Sequence, residues 1–185
     1  MNDLRKRASD VGKLEQLSDA LDNFRCFKDE DVETFLRKDA LTYLDRGWCT
    51  IYLVLNEIAF EQGEIKIEAY FTLSHKVLRT LNASKNKIKS ASGFKEAESI
   101  HFVLIGQLGK YMERNDKNYV QCSKITSKEI LDYAFEVMVA ASQLIVCRCA
   151  LVECSEEPKV QKVYSDYGFS YFQYDGDHYQ YIKRI

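Results

Sequence analysis

The chain has 185 residues, a length that matches one domain of ordinary size. Hydrophobic residues make up 46 % and charged residues 29 %, which excludes a disordered chain and supplies a sizeable single core. With 26 basic and 28 acidic side chains the formal charge is −2, so a nucleic-acid-coating protein is excluded and only a local basic patch remains open.

The N-terminus reads MNDLRKRASD and lacks the apolar stretch of a signal peptide. No apolar run reaches the ~18 residues needed to span a bilayer, so the expectation is a cytoplasmic protein that makes no membrane contact. Its thiols are then reduced. The cysteines are Cys26, Cys49, Cys122, Cys147, Cys149 and Cys154. No Cys-x-x-Cys or His-x-x-His pair occurs, so no metal site is expected, and Cys147 and Cys149 read as small hydrophobes on one face of a strand.

Residues 1–23 are polar, with a weak helical pattern in Val11, Leu14, Leu17 and Leu21, and read as an N-terminal appendage to a domain over residues 24–185. From Asp29 to Arg46, Val32, Phe35, Leu36, Ala40, Tyr43 and Leu44 make one apolar stripe at helical spacing. Acidic residues open this helix, where the dipole favours them, and Gly47 closes it. Trp48–Leu55 and Glu64–Leu73 read as strands joined by a turn at Gly63. The second alternates with period two, which predicts burial on one face only.

Residues 76–95 carry Lys76, Arg79, Lys85, Lys87, Lys89 and Lys95 and no acidic side chain before the final Lys95. They read as a helix and a loop, either a solvated surface or a contact for an anionic partner. Ser99–Gly109 is nearly continuous in apolar residues, as in a central strand buried on both faces. Gly106 and Gly109 near its end suggest a bulge or a ligand lying close to the backbone. Ser127–Ile145 is a second strong helix, with Thr126 and Glu129 spaced as a capping box. Cys147–Cys154 reads as a buried strand. Pro158 opens a short helix that stops at Gly168, and Asp175-Gly176 turns a C-terminal hairpin. The strand–helix–strand run implies a parallel pair within a mixed sheet.

Two places carry chemistry. The helix beginning near Thr126 presents free N–H groups flanked by Lys124 and Lys128, which suits a pyrophosphate, although Thr126 as a simple cap accounts for the same residues. In VYSDYGF (Val163–Phe169), Tyr164 lies on a stripe that packs against the sheet. Beside a thiol leaving group the same phenol, with a pKa near ~10 against ~8.5 for the thiol, suits a general acid.

The stretches FRCFKDEDVETFLRKDALTYL (24–44), EIKIEAYFTLS (64–74), HFVLIGQLGKY (101–111) and CALVECSEEPKVQKVYSDYGF (149–169) resemble the GNAT superfamily of acyl-CoA-dependent N-acetyltransferases, and its toxin-type branch in particular. The resemblance implies an α/β (α+β) fold: a mixed, mostly antiparallel sheet with a central parallel pair splayed by a bulge and flanked by helices. It also implies acetyl-CoA as cosubstrate and direct attack on its thioester by a primary amine. The backbone near Leu108, Gly109 and Lys110 would hold the pantetheine, and Thr126, Ser127 and Lys128 the pyrophosphate. Tyr164 would protonate the departing thiolate. Glu68 and His101 are candidates for a base, and neither is assigned.

The chain departs from the family pattern in two places. Cys122–Ser127 contains no glycine where the family loop usually reads Q/R-x-x-G-x-G/A, and Phe27 stands where toxin-type members often have glycine. Two readings follow. One is an active acetyltransferase whose acceptor is aminoacyl-tRNA, docked on residues 76–95, or a protein or small amine. The other is a GNAT-fold binding module without turnover. The aromatic hairpin at the C-terminus covers either a homodimer interface or the domain's own core.

Overall fold

The structure, a computed structural model, describes residues 14–80, 82–144 and 147–185. Val11, Ile145 and residues 1–13 of the expected appendage lie outside the described residues. Contacts divide the described chain into two units, residues 14–70 with 108–125 and residues 71–107 with 126–185.

The first unit begins with α1 (Leu14–Asp22), α2 (Glu30–Thr34), a π-helical stretch (Phe35–Asp39) and α3 (Ala40–Asp45). The side chain of Asp29 caps α2 by accepting from the Val32 amide at 3.1 Å. The helix expected over 29–46 thus forms with a wide turn at its centre, where the Ala40 amide reaches back to the Phe35 carbonyl. The expected stripe narrows accordingly. Val32, Leu36 and Ala40 are buried, and Tyr43 is exposed. Leu17 and Leu21 of α1 join Phe24, Cys26, Ile67 and Tyr70 in the same core. Each such leucine contributes roughly 1.5–3 kcal/mol by burial.

Next come β1 (Thr50–Leu55) and α4 (Glu57–Glu61), then β2 (Ile67–Arg79), which neighbours β1. The connection from β1 to β2 is a helical turn rather than the glycine turn alone. Asn56 caps α4 by accepting from the Ala59 amide, and Gly63 follows at φ +87°. The last residues of β3 (Ser99–Lys110) and the hairpin of β4 (Met112–Arg114) and β5 (Val120–Cys122) complete this unit.

In the second unit the strand order is β2-β3-β6-β8-β7, with β6 at Cys149–Cys154, β7 at Ser170–Tyr174 and β8 at Tyr179–Arg184. Its helices are α5 (Lys85–Ser92), α6 (Ser127–Ser142) and α7 (Pro158–Asp166). The pairs β6–β8 and β7–β8 are antiparallel. β3 and β6 are parallel over only three positions, Val103–Ile105 against Ala150–Val152, and β3 then runs on to Lys110. This is the mixed, mostly antiparallel α+β sheet with one central parallel pair that the resemblance implies. The Pro158 helix start, the Gly168 stop at φ +95° and the Asp175-Gly176 turn also form as read.

Four local expectations are corrected. β2 does not end at Leu73, and its supposedly polar face is buried at Tyr70 and Thr72, because both faces of its middle are covered. Lys76 and Arg79 therefore lie in a strand, not in a helix or loop. β3 is not buried on both faces, since His101 and Gly106 are exposed. Val139 on α6 faces solvent at 47 % exposure and Leu144, just beyond the helix end, at 88 %, so the apolar surface is narrower than its composition suggests. Cys147 precedes β6 and is half-buried, whereas Cys149 is buried within it.

Gly109 has no room for a side chain. A Cβ there would press into the Tyr70 ring and lie 2.6 Å from a Val32 methyl carbon. The close approach read from its glycine is thus made by the protein's own core. Gly109→Ala is expected to destabilise the protein by about 1–3 kcal/mol through overpacking. Thermal melting checks this; a variant as stable as wild type would show that Tyr70 moves aside freely.

Candidate functional site

In the first unit, the end of β3 supplies the predicted pantetheine-binding residues. Gln107 and Tyr111 both turn their amides toward β2. The Gln107 amide donates to the Thr72 hydroxyl within the second unit at 2.9 Å, and the Tyr111 amide to the Glu68 carbonyl within the first at 2.9 Å. By strand alternation Leu108 and Lys110 face the opposite edge. That is the edge a peptide-like ligand would pair with. At Lys110 the backbone is hydrogen-bonded to the Cys26 thiol, and the next residue on this edge, Met112, donates to the Arg25 carbonyl at 2.8 Å. The open part of the edge is therefore shorter than Leu108–Lys110.

Glu68, a candidate base, sits in a polar network in this unit. Its carboxylate accepts from Asn56 Nδ2 at 2.7 Å and from the Ser123 hydroxyl at 3.3 Å. Ser123 in turn accepts from the Ile125 amide at 3.2 Å. Asn56, Glu68 and Ser123 are far apart in sequence, so only the glutamate carried a signal that sequence reading could catch. Burial pushes the Cys26 thiol above its usual range, and Asp29 adds to the effect, so Cys26 is a packed neutral thiol.

In the second unit, Thr126 caps α6 as a full capping box. Its hydroxyl accepts from the Glu129 amide at 3.2 Å, and the Glu129 carboxylate accepts from the Thr126 amide at 2.7 Å. The Thr126 hydroxyl and amide hold the Glu129 carboxyl below its usual range. The helix start thus already carries an anion, and of the three predicted pyrophosphate residues Ser127 and Lys128 keep amides without an intrahelical acceptor. The Lys128 ammonium is paired with Asp132 at 2.7 Å. Asp132 also accepts from the Tyr167 hydroxyl at 2.8 Å.

Tyr164 lies on α7, half-buried, with its ring edge-on to Phe169 at 5.8 Å between centroids. His101, the other candidate base, is exposed on β3, and its Nδ1 lies 3.2 Å from Nε2 of His75 on β2. The structure therefore brings Lys128, Asp132 and Tyr167 together in this unit, while Leu108, Gly109 and Lys110 belong to the first. Among the described residues, no group of three or more His, Cys, Asp or Glu is placed to hold a metal ion. None of the described helices is long and apolar enough to cross a membrane.

No protein-family model matches the sequence, and no curated protein matches it significantly. Solved structures do match. The AtaT complex with acetyl-methionyl-tRNAfMet superposes with a TM-score of 0.66 at 18 % identity, covering 89 % of this chain and 86 % of AtaT. A tyrosine-to-phenylalanine mutant of KacT gives 0.65 at 16 % identity, again over 89 % and 86 %. AtaTR bound with acetyl-CoA gives 0.64 at 16 % identity over 89 % and 86 %. The chain has the fold of these GNAT-type acetyltransferase toxins.

The capping box has a pH signature. Because the Glu129 pKa is lowered in the folded state, its stabilising contribution is present above the ordinary glutamate value near ~4.3 and is lost as pH falls through the folded value. Glu129→Gln is expected to flatten the acid side of the melting-temperature profile. A profile in the variant that parallels the wild type below pH ~4.5 would remove the capping box as the cause.

Proposed function

We propose that this protein transfers an acetyl group from acetyl-CoA to a primary amine. The observation that carries the reading is the fold match, together with the β3–β6 pair that stops after three positions and leaves the β3 edge at Leu108 for a pantetheine arm. Leu108 and Lys110 would meet the pantetheine through their backbone, and Gly109 keeps that backbone close-packed on Tyr70. Ser127 and Lys128 would hold the pyrophosphate through their free amides, with Thr126 shaping the turn beneath them. Tyr164 would protonate the thiolate as the amine attacks. The acceptor amine must be neutral to attack, and Glu68, held by Asn56 and Ser123, and His101 are the candidates for a base, neither of them assigned. The proposed domain is a GNAT-like one over 24–185, with acetyl-CoA as cosubstrate and a cytoplasmic setting.

Since AtaT is seen with acetyl-methionyl-tRNAfMet, aminoacyl-tRNA leads the acceptor list. The basic segment supports this only in part. Lys76 is paired with Glu153, Lys87 donates to the Phe172 carbonyl at 3.0 Å, and Lys85 meets Glu96 at 3.4 Å. Lys89 and Lys95 have no ion pair among the described residues and remain for an RNA backbone. A second reading, a GNAT-fold module without turnover, is favoured by one feature, the Glu129 carboxylate seated on the helix start meant for phosphate.

Acetyl-CoA separates the two readings. Binding to the native state is expected to raise the melting temperature. Tyr164→Phe is expected to keep that shift and to lower turnover by ~10²-fold or more, the scale of general acid catalysis. No shift at millimolar acetyl-CoA would dismiss the enzyme, and full turnover in the variant would remove Tyr164 from the chemistry.

A further inference from the structure

A cavity of about 240 Å³ in the second unit is lined by Lys87 and Ser90 of α5, Tyr171 of β7, and Lys183 and Arg184 of β8. Lys87 and Arg184 thus border one space, Lys183 flanks it with its ammonium turned to the Tyr167 and Phe135 rings, and no carboxylate lines it among the described residues. Each cation is held by a backbone carbonyl rather than by an acid. Lys87 Nζ donates to the Phe172 carbonyl at 3.0 Å, Lys183 Nζ to the Tyr167 carbonyl at 2.8 Å, and Arg184 to the Ser90 carbonyl at 3.3 Å. Lys87 also lies 4.3 Å above the Tyr171 ring, and Lys183 lies 3.9 Å above the Tyr167 ring. Carbonyls and ring faces orient ammonium groups without cancelling their charge. The nearest acid acting on Lys183 is Asp132, which is already shared between Lys128 and Tyr167.

We infer that this cavity is a binding site for a phosphate group. An ammonium from a helix and a guanidinium from a strand, with a second lysine flanking them, suit a compact, multiply charged anion with several acceptor oxygens better than a planar carboxylate, for which one bidentate arginine suffices. Partial desolvation, with the Lys128 charge nearby and Asp132 opposing them, pulls the Lys183 pKa down. The sequence hides the site. Lys87 belongs to the basic segment, whereas Lys183 and Arg184 stand in the final KRI, 96 positions or more away, and only the register of β8 brings them together. None of the residues lining the cavity is among those proposed above for acetyl-CoA.

The phosphate could be that of a free nucleotide or a phosphodiester of an RNA strand, and the titrations distinguish them. Inorganic phosphate, adenosine monophosphate and a short single-stranded RNA are titrated into the full chain by calorimetry, each with and without saturating acetyl-CoA. Inorganic phosphate is expected to bind saturably. Lys87→Gln with Arg184→Gln is expected to weaken it at least tenfold, while the melting temperature in phosphate-free buffer stays the same or rises because like charges have been removed. Tighter binding of the mononucleotide assigns the site to a free ligand. Tighter binding of RNA, with a salt dependence that flattens in the variant, assigns it to a strand. No saturable phosphate binding, equal binding by the variant, or displacement by acetyl-CoA would each overturn the inference. Acetyl-CoA affinity is read separately in the same titrations, so its failure leaves the phosphate result standing. Should the double variant melt early, phosphate-induced chemical-shift changes at Lys87, Lys183 and Arg184 in the wild type decide the matter, and their absence overturns it.

Discussion

The hydroxyl of Tyr70 donates a 2.7 Å hydrogen bond to the carbonyl of Val32, and the first unit is arranged around that contact. Tyr70 is fully buried, and burial drives its phenol far above the usual range, so it stays neutral and remains a donor. A buried phenol without an acceptor would cost about 1–3 kcal/mol. Val32 sits one turn before the π-helical stretch, where the regular helical ladder is interrupted and a carbonyl can take a second partner. The ring meets Phe24 edge-on at 5.4 Å and stacks on Phe35 at 6.3 Å. Its other side fills the space that Gly109 leaves open. One side chain on β2 thus ties the helix to the last residues of β3, the stretch on which a pantetheine arm would rest.

At the start of α6 two effects compete for the same amides. The helix dipole places about half a positive charge there, which favours any anion. The capping box answers it from within, with the Glu129 carboxylate on the Thr126 amide. Such a box stabilises the helix whether or not a ligand arrives, whereas a pyrophosphate would approach a carboxylate of its own sign. The exposed carboxylate is screened by solvent and salt, so its repulsion weakens the site rather than closing it. Glycines would have let phosphates nest against bare backbone. Here Cys122–Ser127 offers side chains instead, and the free amides of Ser127 and Lys128 are what remains.

Much of this was legible in the sequence because it is local. The acidic helix start at Asp29, the capping box at Thr126, the stop at Gly168 and the Asp175-Gly176 hairpin all follow from spacing over a few residues. What was not legible depends on partners distant in the chain. Thr72 reads as outward-facing, yet it is buried as the acceptor for Gln107. Lys76 and Arg79 read as part of a helix and loop because the stretch they open also holds Ser, Asn and Gly, but they lie in β2, where Lys76 is neutralised by Glu153. The π-helical turn is silent too. It keeps the spacing of Val32, Leu36 and Ala40 while rotating Tyr43 outward, and no residue type announces it. Within the candidate site, Tyr164 was singled out by its phenol chemistry and the resemblance of VYSDYGF, its helical stripe predicting only packing, whereas the partners of Glu68 at positions 56 and 123 carried no signal of their own.

Charge shows the same division between local and distant information. The chain's −2 is the sum of nearly equal numbers, and a window over 76–95 isolates one basic stretch. The fold then redistributes that stretch. Lys76 is spent on Glu153, Lys89 stays exposed on α5, and Lys87 turns toward β7 and the end of β8. Cations that meet acids cost the protein little and attract little. Cations that meet only carbonyls and rings keep their fields, and these are the ones that converge near Arg184. Strand pairing determines which outcome each lysine has, because the register of β8 against β6 sets Lys183 and Arg184 opposite Ala150 and Cys149, where no carboxylate is available. A shift of one residue in that register would place Lys183 opposite a different neighbour and exchange the faces that Lys183 and Arg184 occupy. The anion-attracting character of this end of the sheet is therefore a property of β8 pairing, not of basic composition.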